Sequence, residues 1–100
     1  MKKSFKINDG KGFHLTLTNG VTVSTQFGPA NYGDNYDARI GEAEYSYESN
    51  EVEIAAWTKD NHWFDFNENK FVEDSKDVAG WIPMSQWLEY LDTFRNHTDS

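Results

Sequence analysis

The residues best able to do chemistry are carboxylates and indoles crowded into one stretch. Between positions 43 and 66 the chain reads AEYSYESNEVEIAAWTKDNHWFDF, which brings Glu44, Glu48, Glu51, Glu53 and Asp65 close in sequence to Trp57 and Trp63. Two chemistries suit such a set. Paired carboxylates such as Glu53 and Asp65 could act as general acid and base in a hydrolase, but that work needs a cleft able to perturb one of the two pKa values. An open sheet face does not obviously supply one. Carboxylates around aromatic rings also make a docking surface, in which the rings form a desolvated centre and the acids meet Lys or Arg of a partner. No catalytic or cofactor signature accompanies the stretch, so docking is the better reading of these residues.

Whether acids and indoles share one surface depends on strand register, because a slip of one residue sends every side chain to the other face. With Ser49-Asn50 as a two-residue loop, Tyr47 faces Val52, Tyr45 faces Ile54 and Ala43 faces Ala56. The opposite side then collects Glu42, Glu44, Glu48, Glu51 and Glu53 with Ser46 and Trp57. Glu48 lies against Glu51 in this register, a like-charge opposition of roughly 0.2–1 kcal/mol that packing alone would not select. Lys59-Asp60-Asn61 works as a three-residue loop with Asn61 left-handed. That loop pairs Thr58 with His62 and sets Trp57 opposite Trp63, with Asp65 on the same side. The Trp pair is then either a partner-binding patch or a second small core beneath residues 71–82.

Other candidate groups are weaker. The loop at 28–41, GPANYGDNYDARIG, offers Tyr32 and Tyr36 as adaptable contacts and Asp34 and Asp37 as added negative charge. Asp34, Asn35 and Asp37 supply fewer oxygens than the six to eight that calcium takes, so neither a metal nor a cofactor is expected. His14 has no companion at ligand spacing and reads as a solvent-facing strand histidine. The Asp9–Gly12 turn lacks both the carboxylate series of an EF-hand and a phosphate-loop GK[ST].

The elements that must position these residues are mostly strands. FHLTLTNGVTVSTQF at 13–27 is a hairpin whose pattern selects a three-residue loop, Thr18-Asn19-Gly20. Leu17 then meets Val21, Leu15 meets Val23 and Phe13 meets Thr25, leaving His14, Thr16, Thr22, Ser24 and Gln26 on the polar face. Residues 4–7 form a further short strand. Residues 67–82 read as an irregular connection pinned by Phe71, Val72, Val78 and Trp81. Residues 83–96 read as the one helix, with Pro83 in its first turn and Met84, Trp87, Leu88, Leu91 and Phe94 as its apolar stripe. The expected fold is a single α+β domain over 1–100. It has an antiparallel sheet of about five or six strands over 1–66, the connection at 67–82, and the C-terminal helix packed on one face of the sheet.

Composition narrows the function classes. One hundred residues suffice for one core. The absence of cysteine excludes disulfides, thiolate metal sites and cysteine nucleophiles, and fits a reducing cytoplasm. Neither a signal peptide nor a spanning apolar run is visible. The formal charge is −8, and it is uneven: residues 42–77 carry three basic and eleven acidic side chains, a net of −8, whereas residues 1–41 carry five basic and three acidic, a net of +2. Such a field disfavours nucleic acid and membrane phosphate as direct partners and favours a basic protein surface.

The run GFHLTLTNGVTVSTQFGPANYGDNYD at 12–37, with EVEIAAWTKDNHWF at 51–64, resembles small proteins encoded by phages and mobile elements. In those proteins a similar strand-NG-strand-FGP-NY run precedes a strand ending in AAW. The resemblance implies a setting, that of small acidic inhibitors of host CRISPR or restriction nucleases acting in the host cytoplasm, and transfers no catalytic residue. The expected function is therefore a non-enzymatic binding module that meets a basic host protein. Glu44, Glu48, Glu51, Glu53, Trp57, Trp63, Asp65, Tyr32, Tyr36, Asp34 and Asp37 are its contact residues. The alternative is a sugar- or nucleotide-binding domain using the same surface.

Overall fold

The computed structural model describes residues 4–8, 11–28 and 48–98, with Asn8 described in its backbone only. In chain order these form β1 (Phe5–Asn8), β2 (Gly12–Thr16), β3 (Thr22–Gln26), β4 (Glu51–Trp57), β5 (His62–Asp65), β6 (Lys70–Glu73), β7 (Ala79–Pro83) and α1 (Met84–Arg95). The strands make one antiparallel sheet in the order β1-β2-β3-β4-β5-β6, and β7 returns to pair with β4. This is the expected α+β architecture of an antiparallel sheet with one C-terminal helix against it. Residues 67–82, expected to be irregular, instead contain β6 and β7.

Local turn chemistry sets two of the registers as expected. At 18–20 the Leu17 amide donates to the Val21 carbonyl at 2.8 Å and the Gly20 amide to the Leu17 carbonyl at 2.9 Å, with Gly20 at φ 89°. Leu15 then opposes Val23 and Phe13 opposes Thr25. At 59–61 the Thr58 amide donates to the His62 carbonyl at 2.9 Å and Asn61 takes φ 64°, so Trp57 opposes Trp63.

The expected hairpin between residues 43–48 and β4 is not what flanks β4. Ile54, the proposed partner of Tyr45, has Thr25 of β3 on one side and Ala79 of β7 on the other. Residues 43–47 lie outside the described residues. The physical reason is that β4 is central: apolar side chains on β3 and β7 both match its Val52-x-Ile54-x-Ala56 face, and burial on both edges outweighs one local turn.

The core is built on that face from Val21, Val23, Ile54, Ala56, Phe64, Ile82 and Phe94, all buried. Helix α1 lies over β4 and β7 and seats Phe94 among rings, 5.0 Å from Phe64 and 5.9 Å from Phe71 between centroids. Tyr90 completes the cluster, 5.1 Å from Phe66. This contact turns the helix so that Trp87, Tyr90, Leu91 and Phe94 face the sheet. Met84 and Leu88, expected in the stripe, are 70% and 51% exposed. The Trp87 indole N–H donates to the Thr25 hydroxyl at 2.9 Å, which explains a buried threonine on the apolar face. Pro83 both ends β7 and caps α1 in an extended conformation, so the strand enters the helix without a loop. A helix of twelve residues spans about 18 Å and does not reach β1, where Phe5 and Ile7 remain exposed.

Gly12 opposes Gln26 in the β2–β3 ladder, and a Cβ there would collide with the Thr25 carbonyl oxygen. Gly12→Ala must therefore spread the two strands. The expected loss is about 1–3 kcal/mol, read as a lower urea midpoint with an unchanged slope.

Candidate functional site

Strand alternation places a second set of side chains on the face turned away from α1. It comprises Lys6 of β1, His14 and Thr16 of β2, Thr22, Ser24 and Gln26 of β3, Glu51, Glu53, Ala55 and Trp57 of β4, Trp63 and Asp65 of β5, and Lys70 and Val72 of β6, in agreement with the pairings Lys6–His14, Thr22–Trp57, Gln26–Glu53, Trp63–Val72 and Asp65–Lys70. Trp57 and Trp63 stack, with centroids 4.7 Å apart and planes inclined by 25°. The His14 ring meets Trp57 edge-on at 5.4 Å. All three rings are half-buried. His14, expected to face solvent, is thus part of an aromatic cluster. The Trp pair is neither sealed inside nor fully open.

The acids divide by role. Glu51 and Glu53 are half-buried on this face and Glu48 is exposed just before the strand. The Ser49 hydroxyl starts β4 by accepting from the Glu51 amide at 3.2 Å. Asp65 is committed to structure: its Oδ1 accepts the Asn67 amide at 2.9 Å and the Glu68 amide at 3.0 Å. These bonds hold the turn from β5 into β6, in which Asn69 takes φ 57°. Asp77 does similar work, accepting from the Phe66 amide at 2.8 Å and from the Val78 amide at 3.0 Å. An aspartate holding backbone amides is already engaged, which weakens the pairing of Asp65 with Glu53 for acid–base chemistry.

The face is not the open plane that alternation alone suggests. Along its middle Thr22, Ser24, Gln26 and Ala55 are buried, none above 9% exposed, and the Gln26 amide donates to the Ser24 hydroxyl at 3.2 Å. Accessible acids and indoles therefore stand around a buried centre. Tyr32, Asp34, Tyr36, Asp37 and Glu44 lie outside the described residues.

The structure adds one residue that sequence reasoning misplaced. Between Val52–Ile82 and Ile54–Ala79 the ladder shifts by one, so Gly80 and Trp81 together oppose Glu53. Ala79 and Ile82 keep the core side, and Trp81 within the bulge takes φ 56°. Trp81 was expected to pin a connection, yet it is 51% exposed, and Val78 is 42% exposed. The available signal was Gly80, since a glycine inside a strand often marks a bulge.

Two apolar clefts lie elsewhere, on the α1 side. One of about 290 Å³ is lined by Leu15, Leu17, Leu88, Leu91, Asp92 and Arg95. The other, about 210 Å³, lies between Phe13, Phe27, Val52, Met84 and Trp87. Neither touches Trp57, Trp63 or the sheet-face carboxylates. Among the described residues no three His, Asp or Glu side chains are grouped to hold a metal ion, and no helix is long and apolar enough to cross a membrane. Comparison with protein-family models, with curated proteins and with solved structures finds no match to this chain.

Proposed function

We propose that this protein is a non-enzymatic binding module that docks onto a basic protein surface, in the manner of small phage-encoded inhibitors of CRISPR or restriction nucleases. The observation that carries the reading is the joint placement of Glu51, Glu53 and the stacked Trp57–Trp63 pair on the sheet face turned away from the helix. Aromatic rings beside carboxylates on one rigid sheet suit a partner rich in Lys and Arg: the rings supply area that water leaves easily, and the acids supply orientation and association rate. The charge of residues 42–77 adds a field of the same sign.

The test is inhibition of a purified restriction or CRISPR nuclease at fixed DNA concentration. Wild-type protein is expected to inhibit in low salt and to weaken steeply as salt rises to about 0.5 M, where the screening length falls to a few ångströms. Glu48→Lys combined with Glu53→Lys should weaken inhibition at least tenfold while leaving the far-ultraviolet circular dichroism unchanged. A folded double variant that inhibits as well as wild type would remove the acidic face from the mechanism.

A further inference from the structure

Helix α1 covers only part of the sheet face on which it lies. Two rows of apolar side chains run from the end strand β1 towards the helix. In one, Phe5 opposes Leu15 in the β1–β2 ladder, and Leu15 shares a cleft with Leu88. In the other, Ile7 opposes Phe13, and Phe13 lines the second cleft with Met84 while its ring meets Trp87 edge-on at 6.5 Å. Leu15 packs against the core cluster, which puts these rows on the α1 side. Phe5, Ile7, Met84 and Leu88 are each more than half exposed. Helical spacing aligns Met84 and Leu88 along one flank of α1. The result is a step, in which β1 and β2 form an apolar floor and this flank forms an apolar wall.

Single exposed leucines need no explanation, but a contiguous patch of this kind marks an interface. The four side chains leave roughly 500 Å² open. Charge narrows the occupant. The chain carries −8, so two copies repel wherever their acids meet. Among the described residues lining the two clefts, the only charged side chains are Asp92 and Arg95, paired to each other at 2.7 Å. Lys6 lies on the opposite face with His14. Two acidic chains can therefore meet at this step, whereas a basic partner finds no carboxylate here beyond the one that Arg95 already neutralises.

Shape narrows it further. Facing sheets pack about 10 Å apart, and a helix with its side chains is about as thick. A second copy's β1–β2 ribbon laid on this floor sits in the layer of α1, against the flank of Met84 and Leu88. Two-fold symmetry repeats the contact in reverse and brings the second helix alongside the β1 edge of the first copy, a position in which helices protect end strands. Joining the two patches buries about 1,000 Å² in total, the size at which a specific interface begins.

We propose that this protein forms a two-fold dimer in which the apolar step made by β1, β2 and the α1 flank receives the same step of a second copy. The contact leaves the face of Glu53 and the Trp57–Trp63 pair turned outward in both copies, so it stands apart from the reading of that face. Sedimentation equilibrium of the full chain at about 10 to 500 μM tests it, a range suited to an interface of this size. Wild-type protein is expected to approach twice the mass of one chain and to associate more tightly in about 0.5 M salt, where repulsion between the copies is screened. Ile7→Lys and Leu88→Glu each bring a charge into the apolar contact from an exposed position. Each should weaken association about tenfold or more, with unchanged far-ultraviolet circular dichroism. Glu48→Lys combined with Glu53→Lys should not weaken it. A wild-type chain that keeps the mass of one chain throughout overturns the dimer, as does a dimer that survives either Ile7→Lys or Leu88→Glu. A mass that climbs past two chains shows an open strand-edge contact and overturns the closed pairing. Loss of the dimer in the Glu48 and Glu53 double variant would place the contact on the acidic face, and also overturns it.

Discussion

Phe94→Ala is expected to lower stability by about 3–5 kcal/mol, the largest single-residue effect in this domain. The ring is wholly buried and touches Phe64, Phe71 and Tyr90, so its removal loses transfer energy and leaves a cavity walled by other rings that cannot easily collapse. A domain of one hundred residues has about 5–15 kcal/mol in total, and this substitution takes about a fifth or more of it. Urea unfolding followed by circular dichroism should show the midpoint falling with little change in slope. Phe94→Leu, which conserves more volume, should lose less than half as much. A loss below about 1 kcal/mol for the alanine variant would mean that α1 does not seat its last turn on β5 and β6 as described.

Asn19→Asp ranks second, at about 3 kcal/mol. The last carbonyls of a helix have no partner within it, and here a turn distant in sequence supplies one. The Asn19 side-chain amide donates to the Phe94 carbonyl at 2.8 Å, to the His97 carbonyl at 3.0 Å and more distantly to the Arg95 carbonyl at 3.3 Å. Its Oδ1 accepts the Val21 amide at 3.1 Å. Aspartate keeps the acceptor and loses the donor. Each lost bond is worth about 1 kcal/mol, and a negative charge beside the negative end of the helix dipole adds up to about 1 more. Asn19→Ala should lose about 3 kcal/mol as well, since it escapes the repulsion but forfeits the Val21 bond, and only the aspartate variant should recover partly in high salt. A loss below about 1 kcal/mol in the alanine variant, or a loss in the aspartate variant that does not change with salt, would contradict the helix-capping role. Phe94 and Asn19 share this helix end, so their effects should not add.

These two residues show how differently sequence informs on them. Phe94 is legible: it is apolar, sits at helical spacing from Trp87 and Leu91, and ends in the core. Asn19 reads only as a turn residue, because nothing local says that the turn will lie against a helix end 75 residues later. The same division runs through the sheet. Turn lengths at 18–20 and 59–61 are readable because Gly20 and Asn61 tolerate positive φ and the flanking apolar residues accept one register only. The pairing of β4 is not readable, since Val52, Ile54 and Ala56 would match any strand with apolar residues at every second position. The helix stripe was half legible: Trp87, Leu91 and Phe94 are placed as expected, but the aromatic contacts of Tyr90 with Phe64 and Phe66 rotate Met84 and Leu88 away from the sheet.

The candidate site divides in the same way. That Glu51, Glu53, Trp57 and Trp63 share one face follows from strand alternation and the 59–61 turn, both encoded within a few residues. That Asp65 is occupied by its own turn, that the centre of the face is buried and that a bulge interrupts β7 opposite Glu53 could be decided only by tertiary structure. Sequence alone determined the fold class, the two tight turns and the sidedness of the acids and indoles, because each of these rests on periodicity and local backbone preference. The folded chain decided which strands meet and which side chains remain accessible, because both arise from competition among distant apolar surfaces for the same neighbours.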